Sequence, residues 1–207
     1  MSSDASTTVQ EDLAFLRALV ERRGSAAGAW AEGYFGAGLI YGAQMLMHAA
    51  QLFGWLPGAG VWALAIGIGP TLVFIPTVIW IGWRRRGEAP PGAAGRAIAA
   101  VFGAVGLANL ALIVVIGVSA LRERSLAIWL IYPACVFILQ GAAWMVAFAM
   151  RRRAWLALVA AGWLGFAIAM GLTTTQIGLY VLFCGLGIWL NMALPGWIML
   201  RQATKQA

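Results

Sequence analysis

Long apolar runs, each closed by a short polar, basic or Gly/Pro-rich break, set the pattern of this chain. A helix that crosses a bilayer needs about 20 mostly apolar residues. Six segments approach or meet that length: 34–54, 61–83, 97–120, 126–150, 154–171 and 176–200. The fifth is the shortest and barely spans. The breaks are too short for a folded soluble domain. The expected fold class is therefore an all-α polytopic membrane protein, with one six-helix membrane domain over 31–200, a tail over 1–30 and a second tail over 201–207.

The first 30 residues follow a different pattern. Thr8 and Glu11 match a capping box, in which hydroxyl and carboxylate pair the first free amides of a helix. Val9, Leu13, Leu16 and Val20 then recur at helical spacing, and Gly24 suits a stop. Glu11 and Asp12 stand at the start and Arg22 and Arg23 at the end, which complements the helix dipole. The expectation is an amphipathic helix over about 9–23, lying on the bilayer surface or docking a partner. No short apolar stretch with a small-residue cleavage site precedes the first span, so that span is expected to act as its own signal.

Composition agrees with a lipid environment. The 207 residues are 62% hydrophobic and only 10% charged, against about 25% charged in soluble domains. The net charge of +7 sits in clusters beside the apolar segments, above all Arg84-Arg85-Arg86 and Arg151-Arg152-Arg153. That is the placement of topology signals, so no nucleic-acid partner is implied. With the N-terminus inside, 12 of the 14 Lys+Arg residues fall on the cytoplasmic side, and only Arg122 and Arg124 fall opposite. The positive-inside rule then puts both termini in the cytoplasm. The abundance of Ala, Gly, Arg and Trp suits a GC-rich bacterial genome, so the expected location is a bacterial inner membrane. Trp30, Trp55, Trp62, Trp80, Trp83, Trp129, Trp155 and Trp197 fall near segment ends, where aromatic belts lie.

Polar side chains inside lipid are costly and mark contacts or sites. At about 100° per residue, Tyr34, Tyr41, Gln44, His48 and Gln51 share one stripe of the first span. Gln176, Tyr180, Cys184, Gly187, Asn191 and Pro195 share a face of the last. Trp129, Pro133, Gln140 and Trp144 do so in the fourth, and Asn109 lies mid-depth in the third. Interhelical hydrogen bonding explains such stripes, and a pocket wall is the alternative. The candidate ligand-binding residues are Tyr41, Gln44, His48, Gln140, Tyr180 and Asn191, with the deep Trp163 and Trp189 as packing or pocket-floor rings. Glu32 is expected as an interfacial charge near Arg22 or Arg23.

Several chemistries lack their residues. His48 is the single histidine and no carboxylate lies mid-span, so neither a zinc site nor a bis-histidine haem is expected. No Gly-x-Ser-x-Gly elbow, His-Glu-x-x-His motif or phosphate loop is present. Cys135 and Cys184 read as apolar fillers. No cofactor, no metal and no catalytic residue is expected.

Packing signals are plentiful. Gly38-x-x-x-Gly42 and Ala100-x-x-x-Ala104-x-x-x-Ala108 allow close helix approach, and Pro70 and Pro76 should bend the second span. The echoes Leu39-Ile40-Tyr41 with Leu130-Ile131-Tyr132, and Asn109 with Asn191, raise the idea of an inverted repeat. The functional expectation is a non-catalytic accessory, regulatory or assembly subunit that meets lipid and another membrane protein or itself. The alternative is a small-solute transporter or receptor with a neutral pocket.

Overall fold

The computed structural model describes residues 30–84 and 93–204, and all regular structure among them is helical. Helix α1 covers 30–52. It is followed by α2 (Gly60–Arg84), α3 (Ala93–Arg122), α4 (Leu126–Arg151) and α5 (Ala154–Leu172). The last helix is one rod in three parts: α6 (Ile177–Ile188), a π-turn (Trp189–Ala193) and α7 (Leu194–Thr204). Five helices among the described residues, α2 to the last, are long and apolar enough to cross a membrane. The expected amphipathic helix over 9–23, with its capping box, lies outside the described residues. So do Arg17, Arg22, Arg23, Arg85, Arg86 and Lys205.

Local chemistry fixes the breaks. Ser125 is the N-cap of α4, its hydroxyl accepting from the Ile128 amide, which supplies a partner for one of the free first-turn donors. Arg152 ends the same helix in the left-handed conformation (φ 52°), its amide donating to the Phe148 carbonyl at 2.7 Å. The next helix restarts two residues later at Ala154, leaving a very tight α4–α5 corner.

The packing order follows from which residues face one another. Helices α3 and α4, and α4 and α5, are hairpin neighbours, and α5 packs on the last helix. Helix α1 closes the bundle against the last helix along its whole length. Phe35 lies against Gly196, Gly38 against Ala193, Gly42 against the Trp189 ring, Leu46 against Gly185 and Phe53 against Gly178. Numbers rise along one rod as they fall along the other, so the two are antiparallel. A methyl at position 196 would stand 2.6 Å from the Phe35 nitrogen, and one at 38 would stand 2.7 Å from the Ala193 Cα. Only glycine lets these backbones come so close.

The second small-residue signal has a different outcome. Ala100 and Ala104 are exposed on α3 and Ala108 is half-buried, so the alanine stripe faces away from the bundle. The Gly38-x-x-x-Gly42 pair lies against Ala193 and the Trp189 ring of the last helix, whereas no described helix covers the alanine stripe of α3. Helix α2 is also peripheral. It is held to α1 by the Tyr41–Phe74 ring contact (5.1 Å), a Gln44–Gly67 hydrogen bond and the Glu32–Arg84 ion pair. Glu32 meets Arg84, reached by one guanidinium nitrogen at 2.9 Å from both carboxylate oxygens; the tail arginines expected near it lie outside the described residues. Arg84 also lies over the Trp80 ring at 4.6 Å.

Trp30, at the first turn of α1, also packs inward. It stacks on Tyr34 at 5.0 Å and meets Phe102 at 5.1 Å and Trp144 at 5.9 Å. Trp155 joins through Trp144. Rings from α1, α3, α4 and α5 so close one end of the bundle. That is also the end where Arg84, Arg96, Arg151, Arg152, Arg153 and Arg201 lie, while Arg122 and Arg124 lie at the other.

The glycine seam makes a differential prediction. Gly38→Ala forces backbone apart and should lower stability by about 1–3 kcal/mol. Gly36→Ala, where an added methyl meets nothing within 4 Å, should be neutral or gain roughly 0.5–1 kcal/mol from helix propensity. Thermal unfolding of both variants in mild detergent checks the contrast, and equal midpoints would contradict the seam.

Candidate functional site

Four prolines lie within the described helices: Pro70 and Pro76 in α2, Pro133 in α4 and Pro195 in α7. Each lacks an N–H, so the carbonyl four residues earlier loses its helical partner, and the ring also pushes the preceding turn open. In lipid an unpaired carbonyl costs several kcal/mol, because no water replaces the lost bond. Every one of the four has a side-chain donor close to that break. Gln44 Nε2 donates to the Gly67 carbonyl at 2.9 Å, three residues before Pro70. Thr77 Oγ1 donates to the Val73 carbonyl at 2.7 Å, three before Pro76. The Tyr180 hydroxyl donates to the Leu130 carbonyl, three before Pro133. The Tyr34 hydroxyl donates to the Asn191 carbonyl at 3.3 Å, four before Pro195.

The last of these is the most connected. The Tyr34 oxygen also accepts from the Trp144 indole Nε1 at 2.7 Å. A chain of hydrogen bonds thus runs from α4 through α1 to the last helix. At its end lies the π-turn, where the Leu194 amide reaches back five residues to the Trp189 carbonyl. The Asn191 side chain donates to the Gly187 carbonyl at 2.9 Å and rests against Gly162 of α5, where a methyl would stand 2.9 Å from its Cγ. π-Turns inserted in α-helices are frequent at functional positions; here the wider turn frees a carbonyl that a neighbouring helix pairs.

The eight candidate residues therefore do not form one wall. Gln44 and Tyr180 are buried and used in interhelical bonds, and Asn191 is buried and bonded within its own helix. Tyr41 packs edge-on against Phe74. Trp163 is buried against Phe137 at 4.7 Å, and its Nε1 has no hydrogen-bond partner. Gln140 Oε1 is likewise buried and unpaired, as is Oδ1 of Asn109. Trp189 lies over Gly42 with 43% of its surface exposed, so it covers the seam from outside.

His48 is set apart. It lines an open pocket of about 340 Å³ at the end of the bundle opposite the arginine clusters, together with Met45, Gln51, Leu52, Gly58 and Val181. Its Nδ1 lies 2.9 Å from Gln51 Oε1, and Gln51 Nε2 donates to the Pro57 carbonyl at 2.8 Å. None of the other seven candidates reaches this pocket. Among the described residues no group of three His, Cys, Asp or Glu comes together. Two residues of structural weight were missing from the candidate set. Tyr34 was legible as a member of the polar stripe, but its partner carbonyl was not. Met45 precedes His48 by three positions, a spacing that puts both on one helix face.

Removing the Tyr34 hydroxyl leaves a buried carbonyl and a buried indole N–H unpaired, so Tyr34→Phe should cost about 1–3 kcal/mol. Pro195→Ala restores an amide for the Asn191 carbonyl, so the two substitutions should be non-additive by about 0.5–3 kcal/mol. A double-mutant cycle on the detergent-solubilised protein measures the coupling, and strict additivity would separate the hydroxyl from the proline break. No family model matches the chain, and neither a curated protein nor a solved structure shows a significant likeness to it.

Proposed function

We propose that this membrane protein is a non-catalytic accessory, regulatory or assembly subunit of a bacterial inner membrane, acting through its helix faces and its N-terminal segment. The observation that carries this reading is how the buried polar side chains are used. Gln44, Tyr180 and Tyr34 pair carbonyls beside prolines, and Asn191 pairs its own helix. Side chains spent this way hold helices together, whereas a solute pathway needs polar groups facing a continuous cavity. The open faces of α2 and α3 supply surface for lipid or a membrane partner; Leu107, Leu110, Val114 and Val115 on α3 are exposed.

A second reading, a membrane receptor for a small neutral ligand, is favoured by the pocket beside His48. The two separate on purification from native membranes. A stoichiometric protein partner is the expected result. A chain that elutes alone, with neither partner nor self-association, sinks the subunit reading.

The topology belongs to the same proposal: six spans with both termini cytoplasmic. It is supported by the antiparallel α1 and last helix, whose outer ends lie together. It is also supported by six described arginines at that end against two at the other. Fusions to the C-terminus test it. Green fluorescent protein should fluoresce there and alkaline phosphatase should stay inactive, and the reverse pattern overturns the orientation.

A further inference from the structure

Of the polar side chains on the α1 stripe, His48 and Gln51 are the two that line the open pocket. The hydrogen bonds around His48 decide which of its ring nitrogens carries the proton. Gln51 donates through Nε2 to the Pro57 carbonyl, a group that can only accept. This fixes the Gln51 amide, so its Oε1 is what faces His48 Nδ1 at 2.9 Å. A carbonyl oxygen can only accept, so Nδ1 carries the proton. In the neutral ring the remaining lone pair is then on Nε2. A second-shell carbonyl that fixes the ring and its tautomer in this way is the support found behind metal-ligating histidines.

Met45 lines the same pocket, three residues earlier on the same helix. Side chains at that spacing have Cβ atoms about 5–6 Å apart. A thioether sulfur and an imidazole nitrogen can therefore approach one ion, at bond lengths of roughly 2 Å each. The rest of the lining is Leu52, Val181 and Gly58, with no carboxylate. Hard divalent ions need several oxygen ligands, whereas thioethers with imidazole suit a soft monovalent ion. Zinc was excluded on the count of histidines and acids, and that count leaves thioethers out.

We propose that Met45 Sδ and His48 Nε2 form a binding site for a soft monovalent metal ion, Cu(I) or its redox-stable analogue Ag(I), at the open end of the α1–α2 corner, with Gln51 as the positioning residue. The ion binds as the cation by lone-pair donation from sulfur and nitrogen, with no electron transfer and no proton released from the neutral ring.

Because His48 is the single histidine, nitrogen-detected correlation spectra of its ring report this site alone. The full chain, carrying an affinity tag without histidine, is titrated with Ag(I) in detergent. The metal-free spectrum should show the Nδ1–H tautomer. One equivalent of Ag(I) should shift Nε2 while Nδ1 keeps its proton. Met45→Leu should raise the Ag(I) concentration needed by at least tenfold, and Gln51→Leu should weaken binding by roughly 10–100-fold, the usual effect of losing such support. Met47→Leu, which changes a thioether outside the pocket lining, should leave the titration unchanged. Helical circular dichroism and monodisperse elution of each variant control for folding. Three results each overturn the proposal: an Nε2–H tautomer in the metal-free chain, silver uptake with no change at Nε2, or an unchanged titration in Met45→Leu. Uptake without an Nε2 shift assigns the silver to other sulfur atoms, the thiols of Cys135 and Cys184 or methionine thioethers.

Discussion

A carbonyl without a partner in lipid is the constraint on which this bundle turns. Helices satisfy their own backbone, which is why they can cross a bilayer at all. Each internal proline withdraws one donor from that arrangement. The chain keeps four of them, and each has a side-chain oxygen or nitrogen brought to a carbonyl three or four residues upstream. Thr77 does this within its own helix, as hydroxyls can by bonding back one turn. Gln44, Tyr180 and Tyr34 do it across helices, so the bond made beside each of these prolines also ties two helices together. Measured interhelical hydrogen bonds in membranes contribute only about 0.6–2 kcal/mol each, but their geometry selects one register among many that apolar packing alone would tolerate.

That selection gives α1 its central role. Through Gln44 it holds α2, through Tyr34 it meets α4 and the last helix, and through Trp30 it reaches α3. The Gly38 and Gly42 face lies directly on the last helix. The Tyr34–Asn191 bond spans 157 positions of sequence. The first described helix therefore completes its contacts only when the last one is present, whereas the α3–α4 and α4–α5 hairpins form from neighbours. Helix α2 depends on α1 for its place, so a change that displaces α1 releases α2 as well.

The helices and their ends were legible because apolar length and basic breaks are local signals. Helix α1 and the last helix differ from the expected segments by only a few residues, 30–52 against 34–54 and 177–204 against 176–200. The stripe of Tyr34, Gln44 and His48 was legible as well, because polar side chains on one arc of a lipid-embedded helix must face inward or toward a pocket. Which carbonyl each would meet was not, since that depends on the register between helices far apart in sequence. The two small-residue motifs show the same limit. Gly38-x-x-x-Gly42 and the alanine stripe on α3 look alike in sequence, yet only the first faces a complementary surface. The Asn191 and Pro195 pair carried a readable hint: proline always orphans the carbonyl four residues before it, so a buried donor was needed near Asn191 whatever the fold. The ring contacts of Trp30 with Tyr34, Phe102 and Trp144 were not legible, because spacing along one segment does not say which rings other helices bring beside it.

The same accounting of donors and acceptors singles out the exceptions. Gln44, Tyr180, Tyr34 and Asn191 have their functional atoms engaged, so the polar stripes explain packing and leave little over for a solute path. Asn109 Oδ1, Gln140 Oε1 and Trp163 Nε1 are unpaired but enclosed, and enclosure denies them to a ligand arriving from outside. His48 differs from both groups. Its Nδ1 is tied to Gln51, and its ring lines a pocket that opens at the bundle end. Tyr34, by contrast, has its oxygen enclosed between Trp144 and Asn191. Gln51 and Pro57 hold the His48 ring in place at this corner of the chain, so an ordered imidazole stands beside an open pocket, the arrangement that the proposed ion would use.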